Sequence, residues 1–257
     1  MRSLRTVGAL VGSVVMSTAV VAGCGGSGGG TTAPSASASS PAPSTPTSAP
    51  TSAETTATPV RPNTQARTAA ELKKALLALS DLPPGFSVEP ASSDDGDVDL
   101  TSKDPRCAPL VRLLNADTAP GSKATAMRSY SGGQDGPFID EGLDAMGSVA
   151  AVARLQSSLR AAVAACPRVT LSIPGQGRST VAVQQVSAPK AGTGPFALRL
   201  TATSGPLEGL EVSMVTTGLD DVMLSMTFVA AVADDVDGAT KDAVDKATSV
   251  LGTSSGT

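Results

Sequence analysis

The spacing of apolar residues changes several times along the chain, and each change marks an element. Leu72, Leu76, Leu77 and Leu79 follow Thr68, a residue that caps helices, and predict a first helix ended by "DLPPGF" at 81–86. A short strand is expected at 87–90. A helix is expected near 109–115, with Pro109 in its first turn, where proline is tolerated. Residues 124–131 and 138–146 read as two strands around "SGGQDGP", a hairpin signal. Gly147-Ser148 opens the clearest helix. Val152, Leu155, Leu159, Val163 and Cys166 fall three or four residues apart and form one stripe, and Pro167 ends it.

Beyond Pro167 the period becomes two. Val169, Leu171 and Ile173 alternate with polar residues, as do Val181 and Val183, then Phe196, Leu198, Leu200 and Ala202. Leu210, Val212 and Met214 follow, then Val222, Leu224, Met226 and Phe228. "PGQG", "GTGP" and "SGPLEG" punctuate these runs, and such short connections imply antiparallel pairing. "VMLSMTFVAAV" is apolar on both faces at several positions and is expected at the centre of the sheet. Asp237 is expected to cap a last helix burying Val244, Ala247, Val250 and Leu251. The expected fold class is α+β: an antiparallel sheet with helices packed mainly on one face.

The N-terminal part has a different character. Arg2 and Arg5 precede an uncharged run from Val7 to Gly23, a basic start and apolar stretch typical of an export signal. The run is only mildly apolar and near the lower length limit for a span. It ends in Val21-Ala22-Gly23-Cys24, which resembles a bacterial lipobox. That resemblance implies cleavage after Gly23 and acyl chains, palmitate among them, on Cys24. A cysteine thiolate is the nucleophile such acylation needs, and two or more chains hold a protein stably at a membrane. Residues 24–66 follow, rich in Gly, Pro, Ser, Thr and Ala, with Val60 the only large aliphatic residue. Such a segment cannot bury enough apolar surface to order itself and is expected to be a disordered tether. The expected organisation is a signal peptide at 1–23, a lipidated tether at 24–66 and a folded extracytoplasmic domain at 67–257.

Charge and composition narrow the function. The chain has 19 Lys and Arg against 23 Asp and Glu, net −4, and only Arg2, Arg5, Arg61 and Glu54 precede residue 67. An acidic domain argues against binding nucleic acid or anionic lipid through bulk electrostatics. There is no tryptophan, one tyrosine and four phenylalanines, so a sugar platform or base-stacking surface is not expected. The absence of histidine removes the usual serine and cysteine triads and histidine zinc sites. No phosphate-cradling glycine motif is present, and no cofactor is expected.

Cys107 and Cys166 remain after lipidation. Export and an even count favour a disulfide between them; two buried free thiols, or one redox thiol, are the alternatives, and no CxxC motif is present. Asp95, Asp97 and Asp99 alternate as some calcium ligands do, but Leu100 and Arg106 stand where an EF-hand loop needs Gly and Glu, so a solvated acidic loop is the better reading and no metal site is expected.

With its VAGC lipobox, "DLPPGFS", Cys107 and the helix "VAAVARLQSSLRAAVAAC", the chain resembles a set of actinobacterial lipoproteins. Some of these look like the extracellular sensor domains of mycobacterial serine/threonine kinases. The resemblance implies ligand binding in a cleft of the sheet, with no ligand named. The function expected is a non-catalytic module, membrane-anchored through Cys24, that binds or senses an envelope ligand or protein. One alternative is a carrier of lipid or another apolar molecule, with Met214, Met223 and Met226 lining its cavity; plain core packing of Met214 and Met226 is the rival account. The other is a carboxylate-dependent envelope enzyme using Asp140 and Glu141, which as strand neighbours point to opposite faces.

Overall fold

The computed structural model describes residues 66–90 and 99–253. The expected signal peptide, Cys24 and nearly all of the tether lie outside the described residues, as do Asp95 and Asp97. The elements in chain order are α1 (Ala69–Ala75), β1 (Ser87–Glu89), β2 (Asp99–Thr101), α2 (Ala108–Leu114), β3 (Ala124–Ser131), β4 (Phe138–Ala145) and α3 (Val149–Ala165). Then come β5 (Arg168–Ile173), β6 (Gly177–Val186), β7 (Thr193–Ser204), β8 (Glu211–Leu219), β9 (Val222–Val229) and α4 (Ala233–Leu251).

All nine strands join one sheet in the order β1-β3-β4-β9-β8-β7-β6-β5-β2, and every neighbouring pair is antiparallel. β5 to β9 form a continuous meander, as their short connections require. α3 carries the chain from β4, near one edge, to β5, near the other. The two edge strands have three residues each, which leaves little unpaired backbone to recruit another chain. β9 lies inside the sheet between β4 and β8, and all eight of its residues are buried.

The α+β class and the antiparallel sheet are as the apolar pattern indicates. The helices, however, divide between the two faces instead of gathering mainly on one. α2 and α3 cover one face, where Leu110, Leu155, Leu159 and Val163 meet Phe196, Leu198, Leu200, Val212 and Met214. α1 and α4 cover the other, where Leu72, Leu76, Val244 and Ala247 meet Ile139, Leu143, Val215, Leu224 and Phe228. The reason lies in β4, β8 and β9. They carry large apolar residues on the second face as well, and a surface made of Ile139, Leu143, Val215, Leu224 and Phe228 has to be removed from water.

Two helix ends also differ from expectation. Thr68 caps α1 as expected: its Oγ1 accepts from Glu71 N at 3.2 Å while Glu71 accepts from Thr68 N at 2.7 Å. But α1 stops at Ala75, so Leu79 falls outside it and is 45% exposed. α4 begins at Ala233, so Asp237 sits inside it; Asp235 instead accepts from Val232 N at 3.2 Å. Val244 and Ala247 are buried as expected, whereas Val250 is 47% exposed on the outer side of the last turn. Cys107 and Cys166 are bonded to each other and tie the start of α2 to the end of α3.

Candidate functional site

A groove opens on the face covered by α2 and α3. One wall is α2, with Pro109, Arg112 and Leu113. The second is the loop into β3, with Pro120, Gly121 and Lys123. The third is α3 from its cap to its middle, with Ser148, Ala151, Arg154, Leu155 and Ser158, and Met146 also lines the groove. Its volume is about 740 Å³, within the range of small-molecule sites.

Local hydrogen bonds fix these walls. Lys123 N donates to Ala145 O at 2.8 Å, and Met146 N to Asp221 O at 2.7 Å. The loop is held from beneath by buried Asp144, which accepts from Thr125 Oγ1 at 2.5 Å and from Ala119 N at 3.4 Å. Ser148 caps α3, its Oγ accepting from Ala151 N at 3.2 Å. The disulfide ties the start of α2, two residues before Pro109, to the end of α3. Leu113, Met146 and Leu155 are buried and give an apolar floor; Arg112, Lys123 and Arg154 are exposed around it.

The opposite face holds a buried acid. Glu141 on β4 is fully buried, and its Oε2 accepts from Leu77 N at 2.8 Å and lies 3.1 Å from Tyr130 Oη. Tyr130 Oη also reaches Leu77 O at 2.6 Å, and Arg128 Nη1 donates to the same carbonyl. Both backbone polar groups of Leu77 are therefore satisfied by side chains of β3 and β4, which explains why α1 ends where it does. Tyrosine has one hydroxyl proton. That proton has two acceptors within reach, Leu77 O and Glu141 Oε2, while Glu141 Oε1 is buried without a hydrogen-bond partner. Burial pushes the Glu141 pKa up to about 7, against the lowering effect of its hydrogen bonds and of Arg128 and Lys246. Burial likewise raises the Tyr130 hydroxyl, aided by the Glu141 charge.

The residues singled out in the sequence scatter across this arrangement. Met214 and Met223 are buried on the α2–α3 face and Met226 on the α1–α4 face, so the sheet separates them, and none lines the groove. An apolar void among Leu100, Leu171 and Leu210 holds about 10 Å³, too little for any lipid. Asp140 and Glu141 are both buried on successive strand positions and do not converge. Asp99 accepts from Asn115 Nδ2 at 2.7 Å, and among the described residues no cluster of three or more acidic or sulfur ligands could hold a metal. Arg112, Lys123 and Arg154 went unmarked in the sequence because they lie in three separate segments with no shared motif.

No protein-family model matches the chain, and no curated protein matches it. Among solved structures, it is similar to the extracellular domain of PknH from Mycobacterium tuberculosis, with a TM-score of 0.55 and 14% sequence identity. The match covers 72% of this chain and 98% of that one. At this identity the likeness establishes a shared fold, in line with the α+β domain described above. No helix among the described residues is long and apolar enough to cross a membrane.

Proposed function

We propose that this chain is a lipoprotein held at the outer face of the cell membrane by acyl chains on Cys24, and that its α+β domain is a non-catalytic module binding or sensing an envelope component. The anchor is supported by the basic start, the uncharged run and Val21-Ala22-Gly23-Cys24. The binding role is carried by one observation, the open groove between α2 and α3, whose walls are fixed by backbone hydrogen bonds and whose lining contains no acid–base pair. The fold shared with an extracellular domain favours the same reading. The carrier alternative has less support, since its three methionines are split between two packed cores.

Mass spectrometry of the chain extracted in detergent from its own membrane tests both halves. The expected N-terminal peptide begins at acylated Cys24, Cys24→Ala is unprocessed or released, and no lipid stays bound in stoichiometric amount through purification. An unacylated N-terminus elsewhere removes the anchor. A stoichiometric, non-exchanging lipid replaces the module with a carrier.

A further inference from the structure

We infer that the groove between α2 and α3 takes an anionic amphiphile, a phosphate or carboxylate group joined to an apolar body. This rests on the groove's being the ligand site, as proposed above, and adds the ligand's chemistry. The first ground is the sign of the charge. Arg112, Lys123 and Arg154 reach the groove from three different segments, and no Asp or Glu lines it, in a chain with 23 acidic and 19 basic residues.

The second ground is that the fold makes no use of these three cations. Elsewhere Arg67 and Lys246 pair with Asp221 and Asp81, while Arg128 and Arg160 hold backbone carbonyls. Among the described residues, Arg112, Lys123 and Arg154 have no ion pair or hydrogen bond of this kind. Cations gathered at one concavity and left without partners are available to a ligand's anion, and guanidinium groups meet phosphate or carboxylate oxygens in pairs.

The third ground is the floor. Buried Leu113, Met146 and Leu155 offer apolar contact, and a space of about 740 Å³ is far larger than one inorganic anion. A charged rim over an apolar floor matches a molecule with one charged end. The first turn of α3 opens onto the same space and adds a field of the same sign.

The test uses the full chain carrying Cys24→Ser, which removes its own acyl acceptor, and follows backbone amide NMR shifts in residues 109–158. The probes are monomeric dihexanoyl phosphatidic acid, dihexanoyl phosphatidylcholine and inorganic phosphate. Phosphatidic acid is expected to move groove amides. Its binding should weaken by about tenfold in the Arg112→Gln, Lys123→Gln, Arg154→Gln triple variant, and also on raising the salt. Phosphatidylcholine and inorganic phosphate should bind at least about tenfold more weakly than phosphatidic acid. If phosphatidylglycerol vesicles displace the bound probe, the anion is a membrane headgroup; if they do not, it is a soluble amphiphile. Equal binding of phosphatidylcholine and phosphatidic acid, or no loss in the triple variant, overturns the anionic assignment and leaves the groove a binding site. Failure of every probe to move groove amides overturns both.

Discussion

Both faces of the sheet bury polar groups, but they use their cations differently. On the α1–α4 face Glu141 Oε2, Tyr130 and Arg128 close around the backbone of Leu77, Glu141 Oε1 is buried without a partner, and Lys246 of α4 pairs with Asp81. On the α2–α3 face the cations stand at the surface around a groove, and a covalent bond between Cys107 and Cys166 joins the helices. One face spends its polar residues on holding α1 in place. The other is fixed by apolar packing, a disulfide and polar contacts of its own, Asp144 beneath the loop into β3 and Gln156 and Arg160 on the carbonyls at the start of β7, and it leaves Arg112, Lys123 and Arg154 without partners among the described residues. A concave surface can stay unfilled only if its walls are held by other means, and here those means are visible.

Removing the disulfide is expected to have the largest effect. The bridged residues are 59 apart in sequence, and closing a loop of that length is worth about 4 kcal/mol in the chain-entropy model. Cys107→Ser with Cys166→Ser should lower the unfolding free energy by about that amount in denaturant titrations, and should weaken probe binding at the groove more than any change on the far face. A loss under about 1 kcal/mol would mean that apolar packing alone holds α2 and α3.

Much of this arrangement is legible in the sequence, and the limit has a physical form. Thr68 ahead of the leucines, the stripe from Val152 to Cys166 and the alternation from Val169 to Phe228 are local patterns, and each gives an element close to its observed place. Apolarity on both faces of β9 correctly indicates an interior strand. Where the sequence misleads, the deciding partner is distant. α1 ends early because Glu141 and Tyr130, 64 and 53 residues beyond Leu77, take its backbone groups. β2 forms because Asn115 bonds both Leu100 N and Leu100 O while β5 pairs with it. The groove is a junction of three segments, so no single stretch of sequence announces it. Asp140 and Glu141 attract notice as neighbours, yet only folding shows that Glu141 is a buried structural acid.

That buried acid gives the second prediction, somewhat smaller than the first. The folded-state pKa of Glu141 is raised to about 7 from an ordinary 4.5. Between those values the native state holds a proton that the unfolded state has lost. Stability from this group is therefore fully present below pH 4.5 and is lost as pH rises through 7, by about 3 kcal/mol across the window. The lowered carboxylates, Asp81 with its Lys246 partner foremost, act in the opposite sense and below this window. Unfolding free energies measured between pH 4.5 and 8 should fall in the wild type, and Glu141→Gln should flatten that slope. An unchanged slope in the variant would show that the α1–α4 face does not hold a protonated acid.

The smallest expected effect is on stability at the groove, and it sharpens the contrast most. Arg112, Lys123 and Arg154 are exposed and, among the described residues, make no ion pair or hydrogen bond within the domain. Exposed charges without partners contribute little to folding, and their removal is usually felt within about 0.5 kcal/mol. The change to glutamine keeps most of each side-chain stem, so packing against the groove wall is largely retained. The triple variant should thus unfold at nearly the wild-type denaturant midpoint with an unchanged slope, while its affinity for an anionic probe falls. Removing three like charges from one concavity also relieves their mutual repulsion, so a slight stabilisation fits the same account. A loss above about 1 kcal/mol would mean that the three cations are part of the fold after all, and the two faces would then differ in geometry but not in how they use charge.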